Sequence, residues 1–257
     1  MTIEMFVISH KNFKMPKVDC YKSLLVGADF NKAELDLSDN VGDNISYKNR
    51  NFCELTGLYW IWKHSNADIV GICHYRRYFT KSKLRKNEKY YLNSKDINAL
   101  FEKYDVVVPT KRYYKERVIE AVNIAPNMDD VMEMEKAISY LEPDYLESYK
   151  KYLNGNECYL YNMCIMKKAM LDEYCQWLFK LLSYIENDYY VDNDDPYRSR
   201  LFGFLSERLI YVWLDKNVEK ERIKEIRVVK TDESNLWLVK EDLKNRARKI
   251  YYAVKNN

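Results

Sequence analysis

The motifs that announce a metal or redox protein are missing from this chain. Its six cysteines, Cys20, Cys53, Cys73, Cys158, Cys164 and Cys175, never form a CxxC pair and sit inside apolar segments. Free buried thiols in a reducing compartment are therefore expected, not a disulfide frame. The three histidines have no paired cysteines to join, which argues against zinc. No glycine-rich phosphate loop follows the first strand-like run at 3–9, and no Asp-x-Asp pair follows the buried run at 69–73. No apolar run approaches a membrane span, and the opening MTIEMFVISHK lacks the long apolar core of a signal peptide. A soluble cytosolic protein is the expectation. Repeats and low-complexity tracts are absent. Lys and Arg number 42 against 39 Asp and Glu, a net +3, so nothing global demands nucleic acid, and any electrostatic function has to come from local clustering.

What is present is long enough, at 257 residues, to bury a core and form one domain with a C-terminal extension. Tyrosine, at 24, suits sugar or base stacking, and equally cores and interfaces. The chain is organised around residues 39–79. A polar turn containing Asp43 and Asn44 leads to a segment where Phe52, Leu55, Tyr59 and Trp62 recur at helical steps, widened by Leu58 and Ile61. After Asn66 comes a short β-branched apolar run at 69–73, read as a buried strand. It ends in His74, Tyr75, Arg76 and Arg77. In open α/β sheets ligands bind beyond the carboxyl ends of strands, which is where this cationic cluster falls.

Along the rest of the chain, strands are expected at 3–9, 21–28, 105–109, 158–166 and 223–229. Helices are expected at 96–104, across 128–152 with a break at Pro143, at 168–185 and at 200–214. Residues 81–91 read as a charged loop, 111–126 as a mobile loop over a site, and 186–196 as an acidic loop. At the C-terminus Leu236, Val239, Leu243, Ala247, Ile250 and Val254 trace one helical stripe beside Lys240, Lys244, Arg246, Arg248, Lys249 and Lys255. This basic amphipathic helix is read either as lying on an anionic membrane or as docked on the domain with a solvated outer face.

The segments GDNIS, CELTGLYWIWK and HYRRYF, then NMCIMKK with WLF, then FGFLSERL, occur in an order that resembles one family, over residues 3–214. The family is that of capsular or exopolysaccharide biosynthesis glycosyltransferases built on an uncharacterised domain and grouped with the GT-A nucleotide-sugar transferases. Cys164 stands where that pattern has an aromatic residue. The resemblance implies an α/β fold: a single GT-A-like, Rossmann-like domain at 1–230 with a central mixed, mostly parallel sheet flanked by helices, plus a basic helix at 231–257. It implies transfer of a hexosyl residue, galactose by association, from a UDP-sugar donor to a growing oligosaccharide or lipid-linked glycan. The enzyme is expected at the cytoplasmic face of the membrane, with peripheral membrane contact and no nucleic acid.

Such a transfer needs the departing diphosphate to be stabilised as charge builds on it. Where many GT-A enzymes place an Asp-x-Asp pair and a divalent metal, this chain has His74, Tyr75 and Arg76, with Arg77 next. One cation about 4 Å from a phosphate oxygen is worth roughly 4 kcal/mol at an effective dielectric near 20. Metal-independent leaving-group stabilisation by His74, Arg76 and Arg77 is therefore expected, with no metal ligands assigned; Mn²⁺ or Mg²⁺ remains the alternative. Strand alternation puts His74 and Arg76 on one face and Arg77 on the other.

Glu207 is the candidate catalytic base, its rival role being a salt bridge to Arg208 or Arg200. His10 and Lys11, at the end of the first strand, and Asp43, Asn44, Ser46, Lys48, Asn49, Tyr75 and Arg77 are candidates for holding the donor. For the polar loop, helix capping is the competing role. Asn162 and Arg200 are assigned to the acceptor. Glu54, an acid among aromatics, is expected to pair with a cation such as Arg76 or to accept from a sugar hydroxyl. The literal Asp-x-Asp at 192–195 has no strand leading into it and reads as a solvated turn, with metal binding the alternative. A non-catalytic glycan- or nucleotide-binding assembly protein is the competing function.

Overall fold

Side-chain alternation divides the sheet residues between two cores. In the computed structural model, which describes residues 1–82, 86–121 and 128–255, Phe6 and Ile8 of strand β1 (Ile3–Ser9) enter one core while Met5 and Val7 enter the other. Strands β2 (Tyr21–Leu25) and β3 (Leu37–Ser38) extend the sheet on one side of β1. Helices α1 (Asn49–Phe52) and α2 (Leu55–His64) follow, and α2 delivers the chain to β4 (Ile69–His74) on the other side of β1. Along β4, Val70 and Ile72 join the core under α2, and Ile69 and Cys73 the opposite one.

A tight turn at Tyr75 and Arg76 sends the chain back as β5 (Arg77–Phe79). Then come α3 (Ser94–Phe101), which opens on a reciprocal Asn93–Asp96 capping box, β6 (Val106–Pro109), β7 (Arg112–Tyr113) and α4 (Val118–Ala121). Pro143 separates α5 (Met128–Leu141) from α6 (Leu146–Asn154). The chain continues through β8 (Glu157–Cys158), β9 (Ile165–Lys167), α7 (Lys168–Asp188), α8 (Leu201–Asn217), β10 (Ile223–Ile226), β11 (Val228–Lys230) and α9 (Asn235–Lys255).

The main path of the sheet runs β10-β6-β9-β4-β1-β2-β3. Strands β1, β2, β3 and β4 are mutually parallel, β10 is parallel to β6, and β9 inserts antiparallel between β4 and β6. This is a central mixed, mostly parallel sheet flanked by helices. Parallel strands put the ends of β1 and β4 at one edge, with Ile8 opposite His74.

Three elements differ from the sequence expectation. The apolar run 158–166 is two strands, β8 and β9, because Tyr161 (φ 80) and Asn162 (φ 49) make a left-handed turn between them. The helix expected from Phe52 to Trp62 breaks at Cys53, which has φ 52 and separates α1 from α2. Residues 223–229 split because β10 pairs with β6 while β11 pairs with β5. Of the three expected loops, 81–91 carries a helical turn at Glu88–Tyr90, 111–126 holds β7 and α4, and 186–196 begins with the last residues of α7, which runs to Asp188. Residues 83–85 and 122–126 of those loops lie outside the described residues.

Candidate active site at the ends of β1 and β4

The helix-covered face of β4 continues to His74, which is why this histidine is 9% exposed. Opposite residues in an antiparallel pair share a face, and the turn at Tyr75 and Arg76 makes Arg77 the partner of His74. The alternation expected from the sequence is thereby corrected. Arg77 joins His74, with Arg77 Nη1 3.4 Å from His74 Nδ1, while Arg76 swings outward to an ion pair with Asp232 at 2.9 Å. An arginine nitrogen only donates, so His74 Nδ1 accepts and the ring carries its proton on Nε2. Burial drives His74 down to about 4, with Arg77 adding and Glu54 opposing. In the absence of a bound diphosphate, burial thus favours the neutral form of this nearly sealed side chain. His74 Nε2 and Arg77 Nε are buried without a hydrogen-bond partner among the described residues.

Two acids approach this pair from the covering helices. Glu54 sits where α1 meets α2, and Glu207 projects from α8. Burial pushes Glu207 up to about 7, Glu54 pushes the same way, and Arg208 and Arg77 oppose. Glu207 is therefore part protonated near neutrality, the condition a proton-transferring carboxyl needs. It also borders a small cavity lined by Tyr114, Tyr152, Tyr159 and Leu160. The left-handed turn between β8 and β9 ties the cluster together. The Tyr161 backbone lies close enough to raise His74 and to lower Glu207, and the Arg77 guanidinium rests 4.6 Å from the centre of the Tyr161 ring.

Asn162, expected to meet an acceptor, is 7% exposed. Its Nδ2 donates to Glu54 Oε1 (2.8 Å), to Ser206 Oγ (2.9 Å) and to the Gly203 carbonyl (3.2 Å). It clamps Glu54 to α8, which corrects both its own expected role and the expected pairing of Glu54 with Arg76.

Above this layer, basic groups gather around the Tyr75 ring. Lys11 Nζ lies 5.2 Å and the Arg76 guanidinium 5.6 Å from its centre, and the His10 ring meets it edge-on at 5.6 Å. Arg200 reaches in from the start of α8, donating to Cys53 Sγ at 3.4 Å and lying 5.1 Å from the Phe204 ring. His10 is held below its ordinary value by partial desolvation and by the charges of Lys11, Arg76 and Arg200. The rim thus concentrates positive charge near the ends of β1 and β4. Lys230, at the end of β11, stands over both Tyr161 (5.4 Å) and Trp237 (4.6 Å). Sequence reasoning missed Lys230, Trp237 and Tyr161; their positions follow from strand pairings that no local pattern reveals.

The side chains of the polar loop bond within the protein. Ser46 is fully buried and bonds Asp39 at 2.6 Å. Asp43 accepts from Tyr59 of α2 at 3.0 Å, and Asn44 accepts from the Ser46 N–H at 3.1 Å. Lys48 pairs with Glu186 at 2.6 Å, and the Asn49 amide donates to the Cys53 carbonyl (2.7 Å) and to Thr56 Oγ1 (2.9 Å). Their polar atoms are engaged in fastening the loop to α2 and α7. At 192–195, Asp192 Oδ1 accepts from the Asp194 N–H and Asp195 Oδ1 from the Tyr197 N–H, a pair of local turns. Among the described residues no group of three or more His, Cys, Asp or Glu side chains is arranged to hold a metal ion.

A family profile described as a domain of unknown function (DUF4422) matches residues 4–218. No curated protein matches the chain. Among solved structures, the apo form of the WbbM bifunctional glycosyltransferase superposes with a TM-score of 0.82 at 25% identity. The match covers 91% of this chain and 46% of that one, so this chain spans about half the length of its structural neighbour.

Proposed function

The chain belongs to the DUF4422 family, and on that premise we propose that it is a glycosyltransferase moving a hexosyl residue from a UDP-sugar to a capsular or exopolysaccharide glycan. The coarser part of this reading, a glycosyltransferase fold, rests on the likeness to the WbbM enzyme. What supports a transfer reaction at this site is a carboxyl raised toward neutrality, Glu207, within electrostatic reach of Arg77 and of the rim residue Arg200 near the ends of β1 and β4.

In the proposed reaction the bond between the sugar anomeric carbon and the β-phosphate oxygen breaks, and its electron pair leaves with UDP. Lys11, Arg76 and Arg200 are the cations offered to that diphosphate, with His10 as a further donor and the Tyr75 face among them. The attacking acceptor hydroxyl forms the new bond to the anomeric carbon and gives its proton to Glu207. His74 is a positioning residue that holds Arg77. The diphosphate is proposed to be balanced by side-chain cations without a divalent metal.

The test is UDP release and thermal stabilisation across a panel of UDP-hexoses, UDP-galactose first, with and without a chelator. Stabilisation by one donor follows RT ln(1 + [L]/Kd). UDP release that survives chelator and disappears in Glu207→Gln supports the reading. A strict Mn²⁺ or Mg²⁺ requirement overturns the metal-free part. Donor binding with no turnover under any condition favours the non-catalytic assembly protein.

A further inference from the structure

Helix α9 is amphipathic, yet it docks on the domain by its polar side. Glu241 pairs with Arg112 at 2.6 Å and Asp242 with Arg227 at 2.7 Å. Asn245 accepts from the Tyr113 N–H at 2.7 Å and donates to the Lys111 carbonyl at 2.8 Å. Arg248 donates to the Tyr113 carbonyl at 3.1 Å. At 100° per residue, these groups lie on the side of the helix opposite the apolar stripe. Leu236, Leu243, Ile250 and Val254 of that stripe are 68%, 60%, 65% and 73% exposed. A helix that served only to cover the domain would be turned the other way.

Charge is sorted in the same manner. Glu241 and Asp242 are the acids of the helix; each is tied to an arginine of the domain and, within the helix, to Lys244 (3.0 Å) and Arg246 (2.9 Å) respectively, so among the described residues Lys240 is the margin cation with no carboxylate of its own helix. Lys240, Lys244 and Arg246 are exposed beside the stripe, while Lys249 turns toward the domain, its ammonium 5.8 Å from the centre of the Tyr113 ring. The outward face is therefore apolar residues edged by cations.

We propose that this face lies on an anionic lipid bilayer, with α9 in the plane of the interface. Apolar side chains enter the headgroup boundary and flanking lysines meet anionic headgroups, the arrangement by which interfacial helices bind. No described helix is long and apolar enough to cross a membrane, so contact through α9 is at the surface. A second copy of the chain is the less fitting occupant, since stripe-to-stripe pairing would bring two cationic margins together. The site is linked to this face: Trp237 of the first turn of α9 lies under Lys230, and Asp232, just before the helix, holds Arg76. That the contact presents the cleft to a lipid-linked acceptor rests on the glycosyltransferase reading; lipid binding itself does not.

The experiment is co-sedimentation of the full chain with phosphatidylcholine vesicles and with vesicles containing about a third phosphatidylglycerol. It is run at low salt and at about 0.5 M salt, where the Debye length falls below about 5 Å. The inference expects binding to the anionic vesicles, weakened by salt and lost in the Leu243→Glu/Ile250→Glu double variant. Lys240→Ala and Lys244→Ala are each expected to weaken it by up to about fivefold. All these positions are exposed, so the variants keep the wild-type melting temperature and UDP release in the absence of vesicles. Absence of binding to anionic vesicles at low salt overturns the inference, as does equal binding to neutral vesicles. Dimerisation in solution that the double variant abolishes also overturns it, by assigning the face to a second copy. Vesicle binding by a chain that releases no UDP from any donor leaves the membrane face standing and removes the transferase reading instead.

Discussion

Glu207 and His74 titrate in opposite senses, and their proximity makes that measurable. Glu207 keeps its proton up to about 7 against an ordinary 4.5, so between those values the native state binds more protons than the unfolded chain. Its contribution to stability is whole below pH 4.5 and is lost as pH rises through 7. His74 is driven from 6.5 to about 4, so its contribution is whole above pH 6.5 and is lost as pH falls through 4. Between pH 4.5 and 6.5 the two slopes oppose each other. Relative to wild type, Glu207→Gln should make the melting temperature rise more steeply with pH across that window, and His74→Gln should tilt it the other way. Scanning calorimetry from pH 4.5 to 8 checks both; parallel curves for all three proteins would refute the assignment. At pH 8 Glu207→Gln should be more stable by about 1–3 kcal/mol, because it removes a carboxylate ionised in a desolvated place. Its turnover should fall by about 10²–10⁴-fold. Wild-type kcat/KM should rise with pH through about 7 as Glu207 becomes able to accept a proton.

Among the elements, the start of α8 depends on a tie that crosses the molecule. Asp130 of α5 is fully buried and takes both Nη atoms of Arg198, at 2.6 and 3.0 Å, together with the Tyr189 hydroxyl at 2.7 Å. Arg198 sits two residues before Arg200, so this pair helps to fix where Arg200 enters the rim. Removing Arg198 takes the cation from a buried carboxylate that keeps the Tyr189 hydroxyl, at a cost of about 1–3 kcal/mol. Arg198→Ala should lower the urea midpoint accordingly, with a higher KM for donor and a smaller change in kcat. An unchanged KM would show that Arg200 is placed by α8 alone.

Taken whole, the molecule has a net charge of only +3, so attraction of an anionic donor has to arise from uneven placement of charge. Lys11, Arg76 and Arg200 meet at one edge, opposed nearby by Asp232. Screening shortens with the Debye length, about 10 Å at 0.1 M and about 3 Å at 1 M. The KM for a nucleotide-sugar donor should therefore rise about three- to tenfold between these conditions, with kcat less affected. Lys11→Ala combined with Arg200→Ala should raise KM at low salt and flatten the salt dependence. A salt response that survives in the double variant would move the donor away from this rim.

Much of the architecture is written in local pattern. The alternation in β1 and β4, the helical stripe of α2, the break at Pro143 and the long apolar faces of α7 and α8 all follow from side-chain period and backbone chemistry, which need no distant partner. The same local logic singled out Glu207, His74, Arg77, His10, Lys11 and Arg76 as candidates. It could not say which of them meet. A turn of only Tyr75 and Arg76 exchanged the faces of Arg76 and Arg77, burial at the end of β4 drives the His74 pKa down, and a left-handed turn made Asn162 a clamp. The amphipathic pattern of α9 was legible, but which side it turns to the domain depends on Arg112 and Tyr113, more than a hundred residues away, and on Arg227 in the link between β10 and β11. Period determines which residues share a face; only the packed chain decides what that face meets, because desolvation and pairing depend on neighbours distant in sequence.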